Sequence, residues 1–313
     1  METRAVGSLR LSVLGLGAGT LTDDTVAQVR PMVAAALESG VTYVDISNRP
    51  ASSERLLGRV LRGHRDSVVI GTKFGSRPRP GVLACATPDY VRESVEASLR
   101  NLDTDRIDLY FLHRPDPATP IADTLGTLDE LVRAGKLREI ACSKFTAAQL
   151  AEADAVRTAG GSRFAAVENH CSLLDTGDVD TVLPLCAERG IAYLAYWPLS
   201  AGLLTGKYRQ GLPPGTRFTR DERWIARAQE WHSEANRLLV ERLLAWAQER
   251  GHSLVELAFA WLLAHPQLST AIAGASSPEQ VRANADAAGA WRLTAAEYDE
   301  VTAIAQPAAQ SAG

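Results

Sequence analysis

The chain has 313 residues, 46% of them hydrophobic, and a formal net charge of −4 at neutral pH. That length and apolar share suit one α/β barrel with a large core, and the mild acidity without any basic block argues against nucleic acid as a partner. No apolar run reaches the ~18 residues of a membrane span, and Met1–Leu11 is charged, without the apolar centre of a signal peptide.

Taken in chain order, Leu9–Val13 comes first and reads as part of a hairpin across the floor of a barrel. Short apolar runs then alternate with stretches of helical spacing. The strands are Leu14–Gly17, Thr42–Asp45, Val68–Thr72, Asp108–Leu112, Glu139–Cys142, Ala165–Glu168, Ala192–Tyr196 and Thr270–Ala273. The helices between them are Val26–Ser39, Ser53–Arg62, Pro88–Asn101, Ile121–Ala134, Ala147–Thr158, Val179–Arg189, Glu234–Arg250 and Pro278–Ala287. Thr87-Pro88-Asp89 is a helix start with proline at the first helical position. Gly40, Gly135 and Gly190 stand just past helix ends, where a left-handed residue is needed. Arg209–His232 is a long polar loop after the seventh strand, carrying Pro213-Pro214-Gly215, Phe218, Trp224 and Trp231. A loop of that length inside a compact domain is usually functional, and these aromatics suggest either a sizeable apolar substrate or packing on the barrel wall. The tail Gln306–Gly313 is small and polar, as disordered ends are.

Eight strands alternating with eight helices give a (β/α)8 barrel, one domain over residues 1–313. A doubly wound open sheet also alternates, but Gly15–Gly19 lacks the acidic partner that a dinucleotide fingerprint needs. Of the cysteines, Cys85, Cys142, Cys171 and Cys186, none makes a CxxC pair or has zinc spacing, so no metal is expected and a reducing cytoplasm fits. Cys142 reads as a core residue.

In such a barrel the side chains at the C-terminal strand ends face the active site. Here those ends carry Asp45, Lys73, His113, Ser143 with Lys144, Glu168 with Asn169, and Tyr196. An acid, a lysine and a histidine at neighbouring ends point to catalysis, because buried charge is costly unless paired. A structural Asp45–Lys73 ion pair is the plainer reading. Tyr43 shares the face of Asp45 one layer deeper and reads as core.

These residues lie in motifs that resemble the aldo-keto reductase family along nearly the whole chain. Leu14–Gly17, Gly40–Asp45, Ser53–Gly58, Thr72-Lys73-Phe74, Asp108–His113, Tyr196–Tyr208 and Gly274–Gln280 with Asn284 each match a family segment. The resemblance implies hydride transfer between NADPH (or NADH) and a small carbonyl substrate. It assigns Asp45, Lys73 and His113 to catalysis. Cofactor contacts fall on Gly17, Ser143, Lys144, Glu168, Tyr196, Leu199, Leu203, Gly274, Ser276, Gln280 and Asn284.

The family's tyrosine proton donor is missing: Pro50 stands in its place, in a loop about two residues shorter than the family spacing. Asn48 and Arg49 could fill the vacated space. Lys144 and Glu168 replace an asparagine and a glutamine that usually hold the nicotinamide carboxamide, and are expected to pair with each other. Trp197, Ala283 and Gly19 also depart from the pattern, and no basic residue for a 2′-phosphate is evident near Ser276-Ser277. The expectation is a carbonyl reductase with an altered proton donor, His113 or a water on Lys73. The alternatives are a redox-neutral dehydratase, cyclase or isomerase on the same barrel, or a non-catalytic cofactor-binding protein.

Overall fold

Strands that are apolar on both faces need cover on both, and a parallel sheet closed on itself inside a ring of helices supplies it. The computed structural model of the chain describes residues 1–19, 26–48, 51–79, 81–157, 160–219 and 222–306. It begins with an antiparallel hairpin, β1 (Thr3–Val6) and β2 (Leu9–Ser12), followed by β3 (Leu14–Gly17), α1 (Val26–Glu38), β4 (Tyr43–Asp45), α2 (Ala51–Val60) and β5 (Val69–Phe74). A second hairpin, β6 (Ser76–Arg79) and β7 (Val82–Ala84), leads to α3 (Pro88–Leu102), β8 (Ile107–Leu112), α4 (Ile121–Arg133), β9 (Leu137–Ser143), α5 (Ala147–Val156), β10 (Phe164–His170), α6 (Val182–Arg189) and β11 (Ala192–Tyr196). The chain ends through α7 (Glu222–Trp231), α8 (Glu234–Gln248), α9 (Leu254–Leu263), β12 (Leu268–Gly274), α10 (Pro278–Ala290) and α11 (Ala295–Ala305). Strands β3, β4, β5, β8, β9, β10, β11 and β12 close in that order, all parallel, with β12 paired back to β3. This is the (β/α)8 barrel expected.

The expected strand Leu14–Gly17 and strand Ala192–Tyr196 have those bounds, and the other barrel strands differ by at most three residues at either end. Gly40, Gly135 and Gly190 all take positive φ, and Cys142 is fully buried. Two expectations need correction. The loop Arg209–His232 contains the helix α7, and Phe218 and Trp224 are buried within the loop's own cluster with Leu203 and Tyr208. The expected helix Glu234–Arg250 forms as α8, but an unexpected helix, α9, lies between it and the barrel. Eight of the ten residues of α9 are buried, because α8 and α11 cover its outer side; Trp261 donates to Thr302 Oγ1 at 3.0 Å. A helix covered all round shows no amphipathic stripe to read.

Inside the barrel Tyr43 is fully buried. Its ring takes up the space left by glycines on both neighbouring strands: a methyl on Gly15 would lie 2.6 Å from the ring, and one on Gly71 would collide with the hydroxyl. The floor is tied by Arg4 in β1, whose guanidinium donates to the carbonyls of Leu263 (2.8 Å), His265 (2.9 Å) and Leu268 (2.6 Å). Leu263 ends α9, where the last carbonyls have no partner within their helix, and Leu268 opens β12, so Arg4 ties the two elements together. At the opposite end, Gly17, Asp45, Lys73, Ser143, Glu168, Tyr196 and Gly274 lie at or near the last residues of their strands, and His113 follows β8 directly.

Candidate active site

Parallel strands in register bring these ends to one mouth. Lys73 on β5 bonds to Asp45 on β4 and to the Ile46 carbonyl at 3.1 Å. It also reaches Glu168 on β10 at 3.0 Å, across the barrel. All three groups are buried: Asp45 is 8% exposed, Lys73 4% and Glu168 3%. Burial alone would push the Lys73 ammonium down, but the two carboxylates outweigh it and hold it above its ordinary value. Glu168 also shifts upward, which for a carboxyl favours the neutral form. Burial first, then Asp45, raise its carboxyl to about 7 against the pull of Lys73 and Lys144. Below them Tyr43 donates to Asp45 Oδ1 at 3.2 Å; burial and then the two carboxylates put its own ionisation out of reach.

The expected pair between Lys144 and Glu168 does not form, because Lys73 already takes that carboxylate. Lys144 sits just past β9 in the left-handed conformation, φ 62°. Its ammonium contacts the His113 carbonyl (3.3 Å) and Ser143 Oγ (3.4 Å) and lies 5.4 Å from the Tyr196 ring centroid. No carboxylate comes within ion-pair distance of it among the described residues.

His113 is likewise unsuited to the proton donation expected of it. Burial first, then Lys144, Lys73 and Arg114, push its imidazole down to about 2. It is neutral near pH 7, able to donate a hydrogen bond but not an acidic proton. The segment that holds Arg49 and Pro50 lies outside the described residues. Beside it, Asn48 Oδ1 is buried with no partner among the described residues.

The sequence reading missed two features of the mouth. His170, the last residue of β10, is bonded to Asp175 at 2.5 Å and stacked between Tyr196 (5.6 Å) and Trp231 (5.3 Å). It directly follows Glu168-Asn169, so the strand-end rule could have found it. The other is Arg217, whose guanidinium would lie 3.7 Å from a methyl on Gly274 and is 5.1 Å from the Trp224 ring. Nothing in the polar run around it marks it out.

The second group of expected residues gathers around β12. Gly274 pairs with Gly17 in register. Ser276 donates to Gln280 Oε1 through its amide (2.9 Å) and hydroxyl (3.0 Å), at the start of α10. Asn284 is one turn along α10 from Gln280 and half-buried. Leu199 packs against the core, and Leu203 is buried among the loop aromatics. From Ser200 to Gly202 three successive residues have positive φ, a backbone that costs energy outside glycine and gathers at ligand sites.

A model described as the aldo/keto reductase family matches residues 13–306. Among solved structures, a glycerol dehydrogenase from Gluconobacter oxydans is 26% identical with a TM-score of 0.83, over 97% of this chain and 95% of that one. An aldo-keto reductase from Bacillus halodurans, in its holo form, is 29% identical with a TM-score of 0.81, over 100% of this chain and 99% of that one.

Proposed function

With the chain thereby a member of the aldo/keto reductase family, and so an enzyme of oxidoreductase type, we propose that it reduces a small carbonyl compound with NADPH or NADH. Its proton comes from the Asp45–Lys73–Glu168 cluster instead of a tyrosine. The observation that carries this reading is the buried Lys73 ammonium held between two carboxylates.

The dinucleotide, when bound, supplies a hydride to the carbonyl carbon. Its charged end suits this chain: Arg217 beside Gly274 meets phosphate with a guanidinium, next to the start of α10, where the helix dipole favours negative charge. At the other end Tyr196 offers a ring, and Ser143 and Lys144 offer donors. Lys144 lies over that ring on a flexible stem, and would move aside.

Lys73 presents positive charge where negative charge grows on the substrate oxygen. It can pass that oxygen a proton and recover one from Glu168, 3.0 Å away and partly protonated near pH 7. His113, as a neutral donor, orients the same oxygen. Asp45 keeps Lys73 charged and aimed.

One observation favours the redox-neutral alternative: the Lys144 ammonium covers the face of the Tyr196 ring. Nicotinamide absorbance during turnover of an aldehyde and ketone panel separates the two readings. The reductase reading expects NADPH or NADH consumption, lowered by about 10²–10⁴-fold in Lys73→Met. Product formed at constant absorbance would overturn it.

A further inference from the structure

We propose that Lys144 is a nucleophile that forms a Schiff base with the aldehyde or ketone admitted to the barrel mouth, with Glu168 supplying the proton that drives water out. From the reductase reading this takes only the carbonyl as ligand.

Geometry separates the two lysines of the mouth. Lys73 lies between Asp45 and Glu168, 4% exposed and held as an ammonium by both carboxylates, so it serves as a proton carrier and not as a nucleophile. Lys144 is half-buried and, among the described residues, has only a carbonyl and a hydroxyl as hydrogen-bond partners. It is also held at a φ that a lysine adopts at a cost and an asparagine or glycine adopts readily. A residue kept at a strained backbone position beside a reactive cluster is an indication of use.

The charges around it act in one net direction. Burial, then Lys73 and Arg114, outweigh Glu168 and Asp45 and push the amine down to about 8. His113, also facing it, is neutral. A desolvated lysine near other cations is the usual form of an activated amine nucleophile.

The reaction balances without an oxidant or reductant. The neutral amine attacks the carbonyl carbon; the C–N bond forms and the C=O π pair goes to oxygen. One amine proton moves to that oxygen, giving a carbinolamine. The Glu168 carboxyl then gives its proton to the hydroxyl, the C–O bond breaks, and water leaves. A protonated imine on Lys144 and the Glu168 carboxylate remain. That carboxylate, one strand away, is placed to take a proton from the carbon next to the imine.

The chain has four lysines, Lys73, Lys136, Lys144 and Lys207, so the site of reaction can be read directly. Purified protein, without nicotinamide, is briefly exposed at pH 7 to glyceraldehyde or dihydroxyacetone with cyanoborohydride, and the adducts are mapped by peptide mass. An amine near 8 is neutral roughly 100-fold more often at this pH than an ordinary lysine near 10.4. Labelling of Lys144 is therefore expected to exceed that of Lys136 and Lys207 by roughly that factor, and to follow pH with a midpoint near 8. Lys144→Arg, which keeps the charge, should lose the adduct. Equal labelling of Lys136, Lys207 and Lys144, or labelling of Lys73 instead, would overturn the proposal. Wild-type mapping needs no variant to fold. Because the readout is an adduct and not nicotinamide oxidation, failure here leaves the reductase reading standing, and failure of carbonyl reduction leaves this one standing.

Discussion

Replacing Glu168 by glutamine tests the electrostatics of the mouth most directly, because the amide imitates the protonated carboxyl in shape and charge. Folding raises this carboxyl from 4.5 to about 7. Between those values the folded chain binds more protons than the unfolded one, so stability is fully present below about 4.5 and is lost as pH rises through 7. At ~1.36 kcal/mol per unit, the loss is roughly 3 kcal/mol. The wild type and Glu168→Gln should therefore be about equally stable at pH 5, with the variant ahead by roughly that amount above pH 8. At about 2 °C per kcal/mol for a chain of this size, the gap is about 6 °C in Tm. Scanning calorimetry of both proteins from pH 5 to 9 reads it as a difference curve, in which titrating groups that do not interact with Glu168 cancel. Parallel curves, or a wild type that gains on the variant as pH rises, would refute the assignment of a buried, reluctantly ionised Glu168.

Three further outcomes follow from particular contacts. Gly71→Ala forces a methyl into the Tyr43 hydroxyl inside the barrel and should cost ~1–3 kcal/mol, the range of overpacked cores, seen as a lower denaturation midpoint. Lys144→Asn relieves the left-handed lysine and is expected to stabilise by ~0.5–1 kcal/mol in thermal scans while abolishing carbonyl trapping. Ser253→Ala removes one half of the capping box at the start of α9; a loss of ~1 kcal/mol in urea unfolding is expected.

The barrel was legible because its signal is periodic. Each strand is a short apolar run, and most outer helices have one polar side. Where tertiary cover removed that contrast, as in α9 under α8 and α11, the pattern gave nothing to read. The strand-end rule found Asp45, Lys73, Glu168 and Lys144, since it depends only on where strands stop. It could not say which acid meets which base. That choice is set by reach across the barrel: Lys73 extends from β5 to β10, while the backbone turn at Lys144 sends its amine toward His113 and Tyr196. The neutrality of His113 was equally hidden, because it arises first from burial and then from three cations, both of which come about only in the fold. Arg217 belongs to a polar loop whose path no spacing rule predicts.

The Arg4 guanidinium has a consequence for the order in which the protein is made. It lies 259 to 264 residues before its three carbonyl partners, at Leu263, His265 and Leu268. The closing strand β12 follows at a similar distance behind β3, with which it pairs. Neither the floor nor the seam of the barrel can be completed until β12 has been made. The early strands must wait with an open parallel edge, a state prone to mispairing and slow to resolve. Synthesis that stalls before β12 would leave that edge as a template for aggregation.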